Sequence, residues 1–186
     1  NDIFDLKVVF NYGSANDPDL ARAVSYLQMQ GTKTQSPEAY ALQLQKLGAS
    51  VDFYSSDNQF TVHMTGFEKD LNTIMPLCIS KLQNPSNEEK YIKTMVDGEK
   101  TDLSALREDA STWAQAVREY AMYGDQSTFL NHATLKEWKK RSGEELLSEV
   151  AEALKYDDYV LYSGNTQPEM LVSMLKNNKL VKSNAI

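Results

Sequence analysis

The chain opens on alternation. From Ile3 to Tyr12 the residues Phe4, Leu6, Val8, Phe10 and Tyr12 alternate with Asp5, Lys7, Val9 and Asn11, the period-two pattern of a strand with one covered face. The turn-rich stretch GSANDPD follows, where Asp17 as N-cap and Pro18 at the first helical position predict a helix. Leu20, Val24, Leu27 and Gly31, with Ala23 beside them, give that helix a narrow core-facing stripe. A second helix is predicted with Ser36 as cap, Pro37 as opener, Tyr40, Leu44 and Leu47 inward, and Gly48 as stop. Val51 to Tyr54 and Phe60 to Phe67 then flank the polar turn SSDNQ and predict a hairpin.

Further along, Leu71, Ile74, Cys78 and Leu82 predict a helix over 68–84 that Pro76 should kink or split. Residues 87–123 are helical in pattern and heavily charged, MYGDQSTFLNHATLKEW reads as irregular, and SGEELLSEVAEALKY is a capped helix with Leu146, Leu147, Val150 and Leu154 inward. DDYVLYSGN is a short strand, and Pro168 opens a last helix through Met170, Leu171, Met174 and Leu175. Because the only adjacent strands form a hairpin and helices dominate elsewhere, the expected class is α+β, a mixed or antiparallel sheet with helices packed on one face. Alternation assigns Asp5, Lys7, Asn11, Asp52, Tyr54, Thr61, His63 and Thr65 to the other, uncovered face.

Composition narrows the function classes. A length of 186 residues suits a single domain over 1–186, and 19 Lys and Arg against 26 Asp and Glu give a net charge of −7, the wrong sign for phosphate-dominated nucleic-acid binding. No apolar run approaches the roughly 20 residues that span a bilayer. One cysteine excludes an internal disulfide framework and leaves the compartment open. The opening NDIFDLKVVF has no initiator Met and no signal-like segment, so residue 1 reads as an internal position of a longer protein.

The residues offer no self-evident active site. His63 and His132 are far apart in the chain, one in a strand and one in a loop, and neither has a second imidazole at ligand spacing. Cys78 falls on the apolar stripe of its helix, where a structural role is expected rather than a nucleophilic one. Gly-rich phosphate loops, G-x-S-x-G and C-x-x-C are all missing. The acidic clusters NEEK, REDA and GEELLSEVAEA fit solvated helix faces and first-turn charges.

One resemblance is more specific. FDLKVVFNYGSANDPDLARAVSYLQMQGT followed by SPEAYALQLQKLGASVDFYSSDNQFTVHMTGF resembles the repeated domain of pitrilysin/insulinase-type zinc peptidases, the group that includes mitochondrial processing peptidase. The shared features are the Gly13-Ser14 turn, Gly31-Thr32, Leu47-Gly48 and the hairpin from Val51 to Phe67, with YAMYG at Tyr120–Gly124 and VLYSGN at Val160–Asn165 downstream. Catalytic copies carry the inverted zinc motif H-x-x-E-H on the first helix. Counted back from Gly31, that motif falls on Arg22, Ala23, Val24, Ser25 and Tyr26, so both histidines and the glutamate base are replaced. Glu99, Glu88 or Glu89 would lie near the family's third ligand, a glutamate on a later helix, but one carboxylate does not hold a catalytic zinc.

The resemblance therefore implies a copy of the domain with no metal ligand, no catalytic residue and no cofactor of its own. Zinc is expected in the catalytic domain of a parent zinc metalloendopeptidase or a partner subunit. Such domains pair into a clamshell around a chamber for unfolded peptides, and this one would be the first domain of the non-catalytic half. The uncovered sheet residues Lys7, Asn11, Tyr54, Thr61, His63 and Thr65 would then face peptide or a neighbouring domain, or else be merely solvated. Related Gram-negative proteins suggest the periplasm or envelope. Two alternatives stay open: a stand-alone peptide-binding or assembly module with the same fold, and an enzyme with an unrecognised site around Cys78 or His63.

Overall fold

A computed structural model describes residues 2–106, 109–127, 129–130, 134–178 and 180–181. The elements are β1 (Ile3–Phe10), α1 (Leu20–Met29), α2 (Pro37–Lys46), β2 (Ser50–Ser55), β3 (Phe60–Phe67), α3 (Leu71–Gln83), α4 (Lys90–Leu106), α5 (Ala110–Tyr123), α6 (Leu135–Trp138), α7 (Gly143–Ala153), β4 (Asp158–Ser163) and α8 (Pro168–Asn177). The four strands form one sheet in the order β2-β3-β1-β4, every pairing antiparallel. The class is α+β, with the sheet antiparallel throughout rather than mixed.

Alternation works as expected within β1. Phe4, Leu6, Val8 and Phe10 are buried, and in register with them lie Met64, Val62 and Phe60 of β3 on the same face. Against that face pack Leu20, Ala23, Val24 and Leu27 of α1, Leu71, Ile74, Met75 and Cys78 of α3, and Leu171 and Leu175 of α8, all members of one core. Behind α1, α7 contributes Leu146, Val150 and Ala153, while the expected inward Leu147 and Leu154 are only partly covered. In α8 the stripe is Leu171 and Leu175, and Met170 is exposed.

Several boundaries differ from the sequence expectation for physical reasons. Strand β1 stops at Phe10, because the Asn11 N–H donates to the Asp157 carbonyl and the Tyr12 N–H turns back to the Phe10 carbonyl. Helix α1 starts at Leu20, not Pro18. There Asp17 Oδ1 accepts from the Asp19 N–H at 3.0 Å, and Asp19, the true N-cap position, spends its carboxylate on Arg22 instead of capping. Helix α3 runs through Pro76 without splitting. The bond that Pro76 cannot donate would go to Asn72, and both residues lie on the exposed side, where the freed carbonyl is open to solvent. Within the stretch read as irregular, L-K-E-W forms a one-turn helix, α6, opened by a capping box between the N-cap Thr134 and Glu137.

The second helix behaves as its sequence predicts. Ser36 accepts from the Ala39 N–H at 3.2 Å, Pro37 opens α2, and Gly48 ends the segment at φ +59°, a left-handed conformation that suits glycine. Lys81 of α3 locks this end of the fold. Its side chain is 4% exposed, donates from Nζ to the Gln28 carbonyl at 3.0 Å, and lies 4.9 Å from the Tyr40 ring centroid and 5.7 Å from that of Phe53.

Burial pushes Lys81 down to about 8, against the opposing pull of Cys78 and Asp52. Between that value and the unfolded lysine value of 10.5, the unfolded chain holds a proton that the folded chain has released, so this group makes stability rise with pH across the window. The expected outcome is that Lys81→Met gains most over wild type at pH 7. That advantage shrinks by about 3 kcal/mol by pH 10.5, as read from denaturant unfolding of both proteins at each pH. A constant difference across the window would show that Lys81 is not charge-penalised.

Candidate functional site

Two regions bear on function: the outer side of α1 and the uncovered face of the sheet. On the first, Arg22 projects from α1 to Glu99 on α4, donating from Nε to Oε2 at 3.0 Å and from a terminal guanidinium nitrogen to Oε1. Its other terminal nitrogen donates to Asp19 Oδ1 at 2.7 Å. The guanidinium carbon stands 5.3 Å from the ring centroid of Trp138, which is buried at the end of α6. Arg141 extends the network, pairing closely with Glu149 and at 3.7 Å with both Asp19 and Glu145. The Arg22–Glu99 contact is bidentate and charge-assisted, of the kind that arginine makes and lysine does not.

One turn along α1, Tyr26 is fully buried, and its hydroxyl donates to Asn87 Oδ1 at 2.7 Å. Burial first, and then the nearby charges of Glu89 and Glu88, push the phenol up to about 12. Gly143, the first residue of α7, lies directly over this pair, and a Cβ there would overlap Asn87 Oδ1 and the Tyr26 hydroxyl. Ser25 points elsewhere, exposed, with its hydroxyl donated to the Ala21 carbonyl at 2.9 Å.

Of the three glutamates that the resemblance offered as a third ligand, the structure brings Glu99 to residue 22. Glu88 pairs with Lys90 instead, and Glu89 lines a cavity of about 420 Å³ between α4 and the segment leading into α7. That cavity mixes Lys93, Lys139 and Arg141 with Glu89 and Asp97 over an apolar floor of Ile92 and Val96, so its charges nearly cancel. Its lining selects neither sign of ligand.

The arrangement around Arg22 does not fit zinc. A guanidinium cation and a phenol held protonated stand where the resemblance would put the two histidines, and Asp19, Glu99 and Glu149 are committed to arginines. Among the described residues no group of three or more His, Cys, Asp or Glu side chains could hold a metal ion. His132 lies outside the described residues. Cys78 is fully buried and burial pushes its thiol well up, so it stays protonated and out of reach of substrate.

The uncovered sheet face assembles as alternation implied, with two corrections. The register sets His63 opposite both Lys7 and Asp52, Thr65 opposite Asp5, and Thr61 opposite Tyr54. His63 Nε2 is 3.0 Å from Asp5 Oδ2, the Tyr54 ring meets His63 edge-on at 6.4 Å, and Thr65 shares a 2.9 Å hydroxyl contact with Ser50. Asn11 is lost from the set because β1 ends one residue earlier. Thr61 is buried, not open, since it lies between Tyr54 and Val9 in the ladder.

Val9 is buried on the same face, and β4 adds the exposed Tyr159 and Leu161, apolar members that the sequence reading missed. Alternation in DYVLYS separates Tyr159 and Leu161 from Val160 and Tyr162, but it does not reveal that β4 pairs with β1.

The family description Insulinase (Peptidase family M16) matches residues 1–128. The chain belongs to that family. No curated protein matched the sequence. Among solved structures, this M16 domain is similar to the periplasmic protease PqqL of Escherichia coli, with TM-score 0.82 and 11% identity over 100% of this chain and 21% of that one. It is similar also to a mutant of the ferredoxin protease FusC solved with Arabidopsis ferredoxin, with TM-score 0.81 and 15% identity over 100% of this chain and 21% of that chain. A structure described as a peptidase M16 inactive domain from Pseudomonas fluorescens matches with TM-score 0.78 and 14% identity over 100% of this chain and 47% of that one. The chain thus spans about a fifth of the length of the first two proteins.

Two substitutions test the Arg22 cluster. Arg22→Ala is expected to cost about 2–3 kcal/mol by stranding Glu99, and adding Glu99→Ala should recover about 1 kcal/mol or more in a double-mutant cycle. Gly143→Ala should cost about 2 kcal/mol through overlap with Tyr26 and Asn87. Thermal or denaturant unfolding reads both, and additive losses at Arg22 and Glu99 would show the pair to be uncoupled.

Proposed function

We propose that this M16 domain is a non-catalytic domain of a longer zinc metallopeptidase, the first domain of its C-terminal half, and that it walls a chamber for unfolded peptide. The observation that carries the reading is the Arg22–Glu99 pair, with Tyr26 and Asn87 beside it, on the helix positions where the family resemblance implies zinc ligands. A bound zinc would act as a Lewis acid and lower the pKa of a coordinated water, and no residue of this cluster is available to hold it. Zinc and hydrolysis therefore belong to another domain of the parent or to a partner subunit. Likeness to a structure described as an inactive M16 domain supports that assignment.

The chamber-facing surface in this reading is the open side of the sheet. Lys7, Tyr54, His63 and Thr65 offer hydrogen bonds and one aromatic ring, while Tyr159 and Leu161 add apolar contact. Such a mixture holds an extended peptide with little demand on its sequence. Likeness to a protease described as periplasmic supports a periplasmic setting, and no helix among the described residues is long and apolar enough to cross a membrane.

The deciding experiment is elemental analysis of the purified chain after zinc incubation, with turnover of a quenched peptide measured alongside. The expected result is near-zero zinc and no turnover, while one zinc per chain with activity would overturn the reading. The combined Arg22→His, Ser25→Glu and Tyr26→His variant is expected to regain zinc binding, with Glu99 completing the site. Peptide binding is read by fluorescence anisotropy. Tyr54→Ala and Lys7→Ala should each weaken it by about threefold or more, in line with the roughly 1 kcal/mol of a typical hydrogen bond or aromatic contact, and unchanged binding in both would remove the open face from the chamber.

A further inference from the structure

Glu68 follows the last residue of β3, and its side chain reaches past the start of β1 to the far edge strand, β4. Its backbone N–H donates to the carbonyl of Asp2, just ahead of β1, at 2.9 Å. Its carboxylate accepts from three groups of β4 and the turn beyond: the Tyr162 hydroxyl on Oε1 at 2.7 Å, the Asn165 N–H on the same oxygen, and the Thr166 hydroxyl on Oε2 at 2.9 Å. The Tyr162 oxygen accepts in turn from the Thr166 N–H at 3.1 Å, so the turn after β4 folds around one carboxylate. Gly164 sits at the closest approach, where a Cβ would overlap Glu68 Oε1 and the Tyr162 hydroxyl.

Two hydroxyls and a backbone N–H converging on one charge form a nest for a carboxylate, and this chain fills it with its own. The segment held in this way has few other anchors. Strand β4 pairs with β1 alone and has no buried residue, and α8 adds Leu171 and Leu175 to the core. Edge segments of that kind are the ones that open locally. Burial favours the protonated form of Glu68, but the hydrogen bonds from Tyr162, Asn165 and Thr166 outweigh it and hold the carboxyl below its ordinary 4.5. Its contribution to stability is therefore present above 4.5 and is lost as the pH falls through the lower, folded value. The other chargeable groups on the elements that meet here are Asp2, Asp5, Lys69, Asp70 and Glu169. Asp5 is paired with His63, Lys69 lies 5.7 Å from the Phe67 ring centroid, and none of the five forms an ion pair with Glu68 among the described residues.

We propose that Glu68 is an acid-released clasp: its ionised carboxylate fills the nest and pins β4 and α8, and its protonation frees the two as a unit, taking Tyr159 and Leu161 from the open sheet face. Hydrogen exchange of residues 158–177 in the 186-residue chain tests it. Glu68→Gln at neutral pH is expected to speed exchange there about tenfold, with α1 and α3 unchanged. In the wild type the same selective loss of protection, corrected for the intrinsic chemical rate, should set in below pH 4.5 and be missing from Glu68→Gln. Glu68→Ala empties the nest, and formate should restore most of the protection where chloride at equal ionic strength does not. Equal acceleration in every element, or none in 158–177, overturns the proposal, as does a formate effect no larger than that of chloride. If neither variant folds, Tyr162→Phe removes a single donor and is expected to speed exchange of the same residues about threefold, and an unchanged rate there would sink the clasp.

Discussion

Helix α1 is covered on two sides, and the rest of the structure follows from that. Leu20, Ala23, Val24 and Leu27 face the sheet, while Arg22 and Tyr26 face α4 and the segments around α6 and α7. A polar group on the second side must find a partner there, because burial without one costs several kcal/mol. Most such groups do so in a network in which Arg22 meets Glu99, Asp19 and the face of Trp138, and Arg141 pairs with Glu149 and lies 3.7 Å from Asp19 and Glu145, while Arg141 Nε and Glu149 Oε2 stay without a hydrogen-bond partner among the described residues. Tyr26 is accommodated because α7 begins with glycine at the point of closest approach.

The charge balance explains why arginine suits this position. A glutamate reaching in from α4 needs a cation, and removing the cation alone would leave a partly buried carboxylate unpaired. In the family's zinc-binding copies the resemblance implies that the metal supplies that charge. Here Arg22 carries it permanently on the side chain, in a planar fork that matches the carboxylate. Residue 26 follows the same logic with a different group, since a neutral phenol pushed up to about 12 fills the space without adding a charge to balance. The helix is thus kept packed on both sides without a metal at this position.

Much of this was legible in the sequence, and the limits have physical causes. Period-two alternation found β1, β2 and β3, and cap chemistry at Ser36, Pro37 and Gly48 fixed α2 closely, because those signals are local. The start of α1 was misplaced because Asp19 answers to Arg22, a side-chain competition that no local rule sees. The Arg22–Glu99 pair spans 77 positions, and only the family resemblance had narrowed its acid to three glutamates. Thr61 was placed on an exposed face by alternation and is buried because its cross-strand neighbours Tyr54 and Val9 cover it. Burial on a sheet face depends on the sizes of neighbours in other strands, which a single strand's pattern does not contain.

The uncovered sheet face is graded along its length, and that grading limits what it can do. At one end Val9 and Thr61 are sealed near Tyr54 and Tyr159, with Gln59 donating to the Tyr159 hydroxyl at 3.0 Å. At the other end Asp5 pairs with His63, beside Lys7 and the Ser50–Thr65 hydroxyl pair. Among the described residues, His63 meets the Asp5 carboxylate and the edge of the Tyr54 ring. Rings therefore gather at one end of the face and charges at the other. Because the core lies on the opposite side of the same strands, residues on this face can change without disturbing Leu6, Val8, Val62 or Met64.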